Sequence, residues 1–174
     1  MLDAALMSDS SPALADSFEQ VVRQWETQVL RIGYRILGNW ADAEDVAQEV
    51  FMRLYRRGID FQNDTALRSW LYRVAVNLCL DRVRSSRRFE ELPELIAGDA
   101  SAEAAIILEQ RRLTLIKALG TLPPKERAAV VLREIEGLST AEVAAILGSI
   151  DSTVRSQVAK AVGRLRSILN QEKS

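Results

Sequence analysis

Residues 122–166 read LPPKERAAVVLREIEGLSTAEVAAILGSIDSTVRSQVAKAVGRLR, a stretch that predicts three successive helices. The middle helix begins at Ser139, and Glu142 follows three positions later, which is the spacing of a capping box. Gly148 ends this helix, since glycine tolerates the positive φ that follows a helix end. Asp151 is the predicted cap of the third helix. Two short helices joined by a glycine-containing turn predict a helix-turn-helix motif.

The third helix of this stretch has an apolar side and a basic side. The apolar side, spaced by four, three and four residues, consists of Val154, Val158, Ala161 and Leu165. The opposite side consists of Ser152, Arg155, Ser156, Ala159, Lys160 and Gly163. Because this side holds two positive charges, small residues and no acid, it can approach a phosphate backbone closely, which predicts a DNA-binding helix. The alternative is that these charges, with Arg164 and Arg166, form an ordinary solvated face.

Composition excludes several classes of enzyme. The chain of 174 residues is 48% apolar, enough for one packed domain or two small ones, and its few glycines and prolines favour helix over sheet. It has no histidine and one cysteine, so disulfides, the common zinc sites and histidine-based catalysis are excluded. The cysteine, Cys79, is interpreted as a core residue, with a reactive thiol as the alternative. No cofactor is predicted.

The sequence shows no membrane or secretion signal. Its longest apolar runs, residues 104–108 and 128–132, are far too short to cross a bilayer. The N-terminus holds Asp3 and Asp9 and lacks a basic region before an apolar one, so no signal peptide is expected. These features predict a cytoplasmic protein.

Charge is distributed in blocks along the chain. The net charge is −1, but it is −3 over residues 1–16, +3 over 17–89, −6 over 90–110 and +5 over 111–174. Two basic blocks are therefore separated by an acidic one, and the nearly neutral total conceals both.

The acidic segment 90–101 is predicted to be a linker between two helical domains. It contains Pro93 and Gly98 and has no long periodic pattern. Helix is predicted to resume near Ala102, with Ser101 as its cap. The extension before the first domain has too little pattern to predict a fold and is a candidate for disorder. The chain then divides into an extension (1–16), a first domain (17–89), the linker (90–101) and a second domain (102–174).

The first domain is predicted to contain three helices. The first ends near Gly38, and its apolar residues are Phe18, Val22, Trp25, Val29, Ile32 and Ile36. The second spans residues 42–57, with Val46, Val50 and Leu54 facing inward. The third runs from Leu67 to Arg84 or Arg88, and its inward residues are Leu71, Val74, Ala75 and Leu78.

Two features of this domain suggest contact with nucleic acid. Phe61 lies in the polar loop 58–66 near arginines, where an aromatic ring can stack on an unpaired base. The alternative is a hydrophobic plug over the domain core, and the residues alone leave the choice open. The run RVRSSRR, residues 82–88, holds four arginines at a helix end and suits phosphate contacts, with a solvated helix terminus as the alternative.

Three blocks of sequence occur in an order that identifies a family. They are DAEDVAQEVFMRLYR at 42–56, SWLYRVAVNLCLDRVR at 69–84 and LPPKERAAVVLREIEGLSTAEVAAILG at 122–148. With these blocks around an acidic linker, the chain resembles the extracytoplasmic-function (ECF) sigma factors of the sigma-70 family over residues 18–166. The resemblance implies an all-α fold with two small helical domains, the sigma domain 2 bundle and the sigma domain 4 helix-turn-helix, joined by the acidic linker.

The resemblance also implies a function in transcription initiation without covalent catalysis. Such proteins bind core RNA polymerase, direct it to a promoter and help open the DNA. The acidic linker would follow the path later taken by RNA. Many family members are held by an anti-sigma factor, which these residues do not identify. The second predicted helix has a polar face that consists of Asp45, Gln48, Glu49 and Met52. The residues alone predict only a solvated face, whereas the resemblance implies that this face binds the clamp helices of the largest polymerase subunit.

Promoter contacts are implied in both domains. Phe61 and Asn77 match positions that hold a flipped base of the −10 element, where a stacking surface and a hydrogen-bonding amide offset the cost of extruding the base. Arg73, one helical turn before Asn77, and Arg84 are assigned to the same element. The last predicted helix of residues 122–166 is implied to contact the −35 element through Ser152, Arg155, Ser156 and Lys160.

The chain departs from the family pattern near the reading helix. The usual turn has an apolar residue and then a serine, whereas here Ser149 precedes Ile150. Gln157 and Val162 replace residues that are commonly basic. Gln157 can in principle pair with adenine in a bidentate way, but helical geometry places it beside the core. The family's turn geometry and promoter sequence are therefore not carried over to this chain.

Two other functions compete with the sigma factor hypothesis. One is a helix-turn-helix regulator that binds duplex DNA and dimerises through its N-terminal helices. The other is a helical scaffold or enzyme with incidental basic faces. A regulator has no need for Phe61 and Asn77 beside an arginine-rich helix or for a long acidic tether, and no coiled-coil heptad run is present for a symmetric dimer.

Overall fold

All of the regular secondary structure in the part of the chain that the structure describes is helical. The computed structural model describes residues 12–85 and 100–171, and these contain no strand, which confirms the all-α prediction. A single π-helical turn, Val131–Ile135, continues the fifth helix. The helices are α1 (Pro12–Leu37), α2 (Trp40–Arg57), α3 (Asp64–Ser85), α4 (Ala100–Gly120), α5 (Pro124–Val130), α6 (Thr140–Leu147) and α7 (Asp151–Gln171). None of the helices in these two ranges combines the length and apolar character of a bilayer span.

Helices α1, α2 and α3 pack together as a three-helix bundle. Its fully buried side chains include seven that the periodicity predicts: Val29, Ile32, Ile36, Val50, Leu54, Leu71 and Ala75. Gly38, with a φ of 68°, ends α1 as predicted. Asn39 then begins α2 by accepting a hydrogen bond from the Asp42 amide at 2.9 Å. The apolar periodicity and these local signals together define the bundle.

Helices α1 and α2 approach closely at Gly33. A Cβ atom at this position would lie 3.2 Å from the Cβ of Ala43 and 3.3 Å from its Cα, closer than ordinary packing allows. Because Gly33 has no side chain, α2 lies directly on α1. This contact fixes the position of the outer, polar face of α2.

The helix-turn-helix is formed by α6 and α7. The Ser139 Oγ accepts the Glu142 amide at 3.1 Å, and the Glu142 carboxylate accepts the Ser139 amide at 2.7 Å, so the predicted capping box is present. Gly148 ends α6 in the left-handed region, with φ 60° and ψ 44°. Val154 and Ala161 of the predicted apolar stripe are fully buried. These local signals were sufficient to predict the motif.

Two residues predicted as caps lie inside helices. Helix α4 begins at Ala100, so Ser101 belongs to its first turn. Helix α7 begins at Asp151, and the Ile150 carbonyl accepts the Val154 amide at 3.1 Å, so Ile150 holds the cap position that the sequence predicts for Asp151. Because the first-turn amides have no acceptor within their own helix, a polar side chain is tolerated at these positions as well as at the cap. An acidic residue in the first turn is also favoured by the helix dipole.

The two helical halves begin slightly earlier than predicted. Helix α1 begins at Pro12, so residues 12–16, which the sequence assigns to the N-terminal extension, form its first turn. Proline is favoured at a helix start because it has no amide to leave unpaired. The rest of the extension, 1–11, lies outside the described residues. The predicted linker, 90–101, also lies outside them except for its last two residues, which belong to α4.

The N-terminal half (12–85) and the C-terminal half (100–171) share a hydrophobic core. Helices α5 and α6 contact α3, and α5 also contacts α1. The C-terminal residues in this core include Ala128, Leu132, Leu138, Val143 and Val154. The sequence predicts two domains but not their docking, because an apolar residue that faces a second domain has the same spacing as one that faces its own core.

Ion pairs cross the same interface. Arg35 Nη1 lies 2.5 Å from Glu136 Oε1, and Arg68 Nη2 lies 3.1 Å from Glu142 Oε1. Burial, together with the charge of Glu136, raises the pKa of Tyr72 to about 12. Burial also raises the pKa of Glu136, although Arg35 opposes that shift. Both ion pairs therefore lie in partly buried surroundings between the two halves.

Candidate nucleic-acid interface

The predicted polymerase-binding residues share one face of α2. Asp45, Gln48, Glu49 and Met52 follow the i, i+3, i+4, i+7 spacing that aligns side chains on a helix. Asp45 and Gln48 are exposed, Met52 is 43% exposed and Glu49 is half-buried. Glu49 accepts a hydrogen bond from Arg53 Nε at 2.7 Å, and this bond lowers the pKa of the Glu49 carboxyl. The face is therefore polar and charged around an exposed methionine.

An apolar groove lies beside this face, between α1 and α2. Its volume is about 580 Å³. Tyr55 is 60% exposed, and its ring meets the ring of Phe18 edge-on with the centroids 5.3 Å apart. The apolar side chains that line the groove are Phe18, Val22, Leu30, Ala47, Phe51, Met52 and Tyr55. Exposed apolar surface next to a charged face is typical of a protein-binding site.

The loop between α2 and α3 is fixed at both ends. Gly58, with a φ of 83°, donates its amide to the Leu54 carbonyl at 2.9 Å and ends α2. Asn63 Oδ1 accepts the Ala66 amide at 2.8 Å and caps α3. Helix α3 therefore begins at Asp64, three residues before the predicted Leu67. The loop is shorter than predicted, so its aromatic residue is held close to the bundle.

Phe61 covers part of the bundle core and stays partly accessible to solvent. It is half-buried and packs on the bundle core, with its ring 5.9 Å from the ring of Trp70. The Arg57 guanidinium lies 4.2 Å from the Phe61 ring centroid and 5.7 Å from that of Trp70. Phe61 therefore contributes to packing and also belongs to a cluster of two rings and one cation.

A polar row continues from this cluster along α3. Trp70, Arg73 and Asn77 follow the i, i+3, i+7 spacing of one helix face, and Arg73 and Asn77 are exposed. Seven residues of α-helix correspond to about 10 Å, so Asn77 lies roughly that far along α3 from Trp70. The row therefore begins at Trp70, beside Phe61, and ends at Asn77.

The two arginines of the run 82–88 that the structure describes have different environments. Arg82 donates to the Asp42 carbonyl at 3.0 Å and ties α3 to α2. Arg84 is exposed. Arg87 and Arg88 lie outside the described residues. Arg82 therefore has a structural role within the bundle, whereas Arg84 remains a candidate phosphate contact.

The predicted reading face of α7 is exposed along its length. Its exposed residues are Ser152, Arg155, Ser156, Ala159, Lys160 and Gly163. A Cβ atom added at Gly163 would meet no atom within 4 Å. Arg164 instead pairs with Glu126 at 2.5 Å, so its charge is partly satisfied within the C-terminal half. The face presents positive charge and small side chains to solvent.

A cavity of about 460 Å³ lies between the start of α5 and this face. Lys125, which is exposed, adds a positive charge to its rim. Gln157 also lines it, but its Oε1 is buried and has no hydrogen-bond partner among the described residues. The remaining lining residues are Pro123, Glu126, Ser152, Thr153, Ser156 and Lys160. As helical geometry predicts, Gln157 lies beside the core rather than at the centre of the reading face.

The unusual turn before α7 keeps a regular geometry. Gly148 supplies the left-handed conformation, and the Ser149 amide donates to the Ala144 carbonyl at 2.9 Å. Ser149 is half-buried, whereas Ile150 is 67% exposed. The exchange of the two residues therefore changes which side chain faces solvent and leaves the motif intact.

Comparisons with known proteins give the same two regions. The profile of Sigma-70 region 2 matches residues 21–89, and that of Sigma-70 region 4 matches residues 112–165. The ECF RNA polymerase sigma factor SigE of Mycolicibacterium smegmatis is 40% identical over 168 residues, which cover 93% of this chain and 65% of SigE. The ECF RNA polymerase sigma factor SigM of Mycobacterium tuberculosis is 32% identical over 172 residues, covering 96% of this chain and 84% of SigM. The chain belongs to the ECF sigma factors of the sigma-70 family.

A solved structure shares the fold of this sigma factor. It is the sigma factor RpoE of Bartonella quintana, in complex with the anti-sigma factor NepR. The two chains superimpose with a TM-score of 0.69 at 22% identity, over 89% of this chain and 98% of RpoE. The arrangement of helices is therefore one that a sigma factor adopts.

The structure of the sigma factor adds candidate residues that the sequence did not predict. Trp70 and Arg57 complete the cluster around Phe61, and Tyr55 extends the predicted polymerase-binding face of α2 into the apolar groove. Lys125 lies beside the reading face of α7. Two of these had a local signal: Tyr55 is three residues after Met52 on an otherwise polar face, and Trp70 is three residues before Arg73.

Proposed function

We propose that this sigma factor binds core RNA polymerase, directs it to specific promoters and assists strand opening, acting by binding without covalent catalysis. The observation that carries the proposal is the row Trp70, Arg73 and Asn77 on α3, which begins beside Phe61. A regulator that binds only duplex DNA has no use for such a row in the domain without the helix-turn-helix. Because polymerase and promoter DNA are its proposed partners, the proposal includes a cytoplasmic location for the protein.

The α2 face is the proposed contact with polymerase. Gln48 and Met52 are exposed on it, and the apolar groove extends it towards Tyr55. A partner helix can bury Met52 and Tyr55 in this groove while polar groups at the rim meet Asp45 and Gln48. The clamp helices of the largest polymerase subunit are the proposed partner.

The cluster at the loop is the proposed site for a base extruded from the −10 element. Phe61 and Trp70 supply aromatic surface, and Arg57 supplies a planar cation that can stack on a base. Asn77, farther along the row, supplies both a donor and an acceptor. Stacking contributes about 1–3 kcal/mol per base, which is comparable to the few kcal/mol that extrusion costs.

The exposed face of α7 is the proposed contact with the −35 element. Arg155 and Lys160 supply positive charge for phosphates, and Ser152 and Ser156 are short enough to let the helix enter the major groove. Lys125, at the start of α5, adds a charge at the edge of this surface.

Contact with both promoter elements requires the two halves to separate. The −35 and −10 elements are about 25 base pairs apart, which is about 85 Å of duplex at about 3.4 Å per pair. Helix α1, with 26 residues the longest helix described, is only about 39 Å long. Since α6 is docked directly on α3, the docked halves are too close together to occupy both elements. Polymerase binding is the proposed cause of the separation.

An anti-sigma factor is a proposed regulator of this chain. The fold neighbour RpoE was solved with the anti-sigma factor NepR, and the apolar groove between α1 and α2 provides a surface that such a protein could cover. Because Met52 and Gln48 line this groove, its occupation would block the proposed polymerase contact.

Reconstitution tests the proposed function. The chain is added to bacterial core polymerase on a library of promoter fragments, and initiation is mapped with and without it. We expect promoter-specific initiation that depends on the chain and is reduced by Met52→Ala with Gln48→Ala. Leu108 is exposed on α4 and lines neither the groove nor the cavity beside α7, so Leu108→Ala is the control variant. Tight binding to duplex DNA alone, with no stimulation of initiation at any promoter, would instead support the regulator hypothesis.

A further inference from the structure

Ile150 is an exposed apolar residue at the start of the reading helix. Its side chain is 67% exposed, and its carbonyl accepts the Val154 amide, which places it at the N-cap of α7. Single apolar residues on a surface are ordinary and need no explanation. Ile150 differs because it lies directly before α7, whose exposed residues Ser152 and Arg155 begin the reading face.

The direction of Ile150 follows from a regular turn. Gly148 adopts its left-handed conformation and Ser149 makes the expected backbone hydrogen bond, so the backbone of the motif is undistorted. Ser149 occupies the half-buried position of the turn, which leaves the next side chain, Ile150, in solvent. With Ser149 before Ile150, the turn places the apolar Ile150 side chain next to the reading face.

We infer that Ile150 contacts the 5-methyl group of a thymine in the −35 element, an inference that rests on the proposed function. In helix-turn-helix proteins the N-terminal residues of the recognition helix meet base edges in the major groove. Thymine is the base that presents a methyl group there, and an apolar side chain is its complement. Ile150 is the exposed apolar side chain among residues 149–156, apart from the methyl group of Thr153.

The neighbouring residues favour this assignment. Arg155 and Lys160 can bind phosphates, and either can pair with guanine, but neither is the complement of a thymine methyl group. Gln157, the residue best suited to pair with adenine, has its amide oxygen buried beside the core. Ile150, which lies beside the exposed polar residues Asp151 and Ser152, is therefore the side chain at the start of α7 that best complements a thymine methyl group.

The test begins by defining the upstream element. The full chain with core polymerase selects bound duplexes from a library randomised over the −35 region. Each thymine of the selected element is then replaced by deoxyuridine, which removes only the methyl group. We expect one position at which this replacement weakens binding about fourfold, the value for loss of one buried methyl-sized group.

The variants decide whether Ile150 is responsible. In Ile150→Ala, thymine and deoxyuridine should bind equally at that position, while Leu108→Ala, which removes an apolar group of similar exposure at 69%, should keep the fourfold difference. An element with no required thymine, or a thymine preference that persists in Ile150→Ala, overturns the inference and leaves the proposed function standing. If no element is selected at all, the proposed function fails and the inference fails with it.

Discussion

The guanidinium of Arg127 donates a hydrogen bond to the Ile36 carbonyl at 2.5 Å and so joins the helix-turn-helix half to the last turn of α1. Arg127 is 3% exposed and also donates to the carbonyls of Gly120 at 2.9 Å and Leu122 at 3.0 Å. Carbonyls in the last turn of a helix lack partners within it, and a cation is favoured at this end of the dipole. One buried side chain thus satisfies carbonyl groups from both halves.

Replacement of Arg127 by Met should destabilise the protein by about 3 kcal/mol, because buried carbonyls of both halves then lose their donors. Urea unfolding followed by circular dichroism measures the change. Arg164→Ala is the matched control, since the Arg164 side chain is 50% exposed and its ion pair with Glu126 should contribute less than about 1 kcal/mol. If both substitutions lower the free energy of unfolding equally, the buried hydrogen bonds of Arg127 contribute no extra stability.

Phe61→Ala should slow open-complex formation about tenfold while changing polymerase binding much less, because a stacked base loses about 1–3 kcal/mol with the ring. Permanganate reactivity of unpaired thymines reports opening, and fluorescence anisotropy reports polymerase binding. Phe61→Tyr keeps the ring and should keep opening near the original rate. An equal loss of opening and binding in Phe61→Ala would identify the residue as a plug over the core.

Lys160→Ala should weaken upstream DNA binding and lower the slope of log K against log salt by about 1, since one phosphate contact is lost. Binding is measured over a range of salt concentrations with the −35 duplex. Lys117→Ala, a change of an exposed lysine on α4, should leave the slope unaltered. A slope that Lys160→Ala does not change excludes the assumed phosphate contact.

Burial raises the pKa of the Cys79 thiol to about 12 from an ordinary 9.0. The native state keeps the thiol proton that the unfolded chain releases, so the free energy of unfolding should fall as pH rises from 9 to 12, by up to about 4 kcal/mol. Cys79→Ala should remove this part of the fall, while the part due to Tyr72, whose pKa is also raised, remains. A native thiol that reacts with a disulfide reagent near pH 8 as fast as the unfolded chain would contradict the burial and favour the reactive-thiol alternative.

The helix-turn-helix could be predicted because its signals are local. Ser139, Glu142 and Gly148 lie within ten residues of one another and act on the backbone around them. The docking of the halves could not be predicted, because Arg127 and Ile36 are 91 residues apart and an arginine in a helix is ordinarily exposed. The cluster at Phe61 was predicted in part, since the loop aromatic was evident but its contact with Arg57 depends on the tertiary fold.

The separation of the two halves is the central claim about mechanism, and the docked interface allows it to be tested by substitution. Arg35→Ala with Arg68→Ala removes the two ion pairs that the described residues form between the halves, and should favour separation in the free chain. Arg23→Ala is the control, because it removes an exposed ion pair within α1. If the two variants show the same degree of separation in the free chain, the ion pairs do not hold the halves together.

The most direct measurement is energy transfer between dyes on the two halves. Cysteines introduced at the exposed positions Asp60 and Asn170 accept the dyes, whereas Cys79 is buried and stays unlabelled. We predict high transfer in the free chain and a large fall when the labelled protein enters a complex with core polymerase and promoter DNA. High transfer that persists in a promoter complex active in initiation would contradict the account.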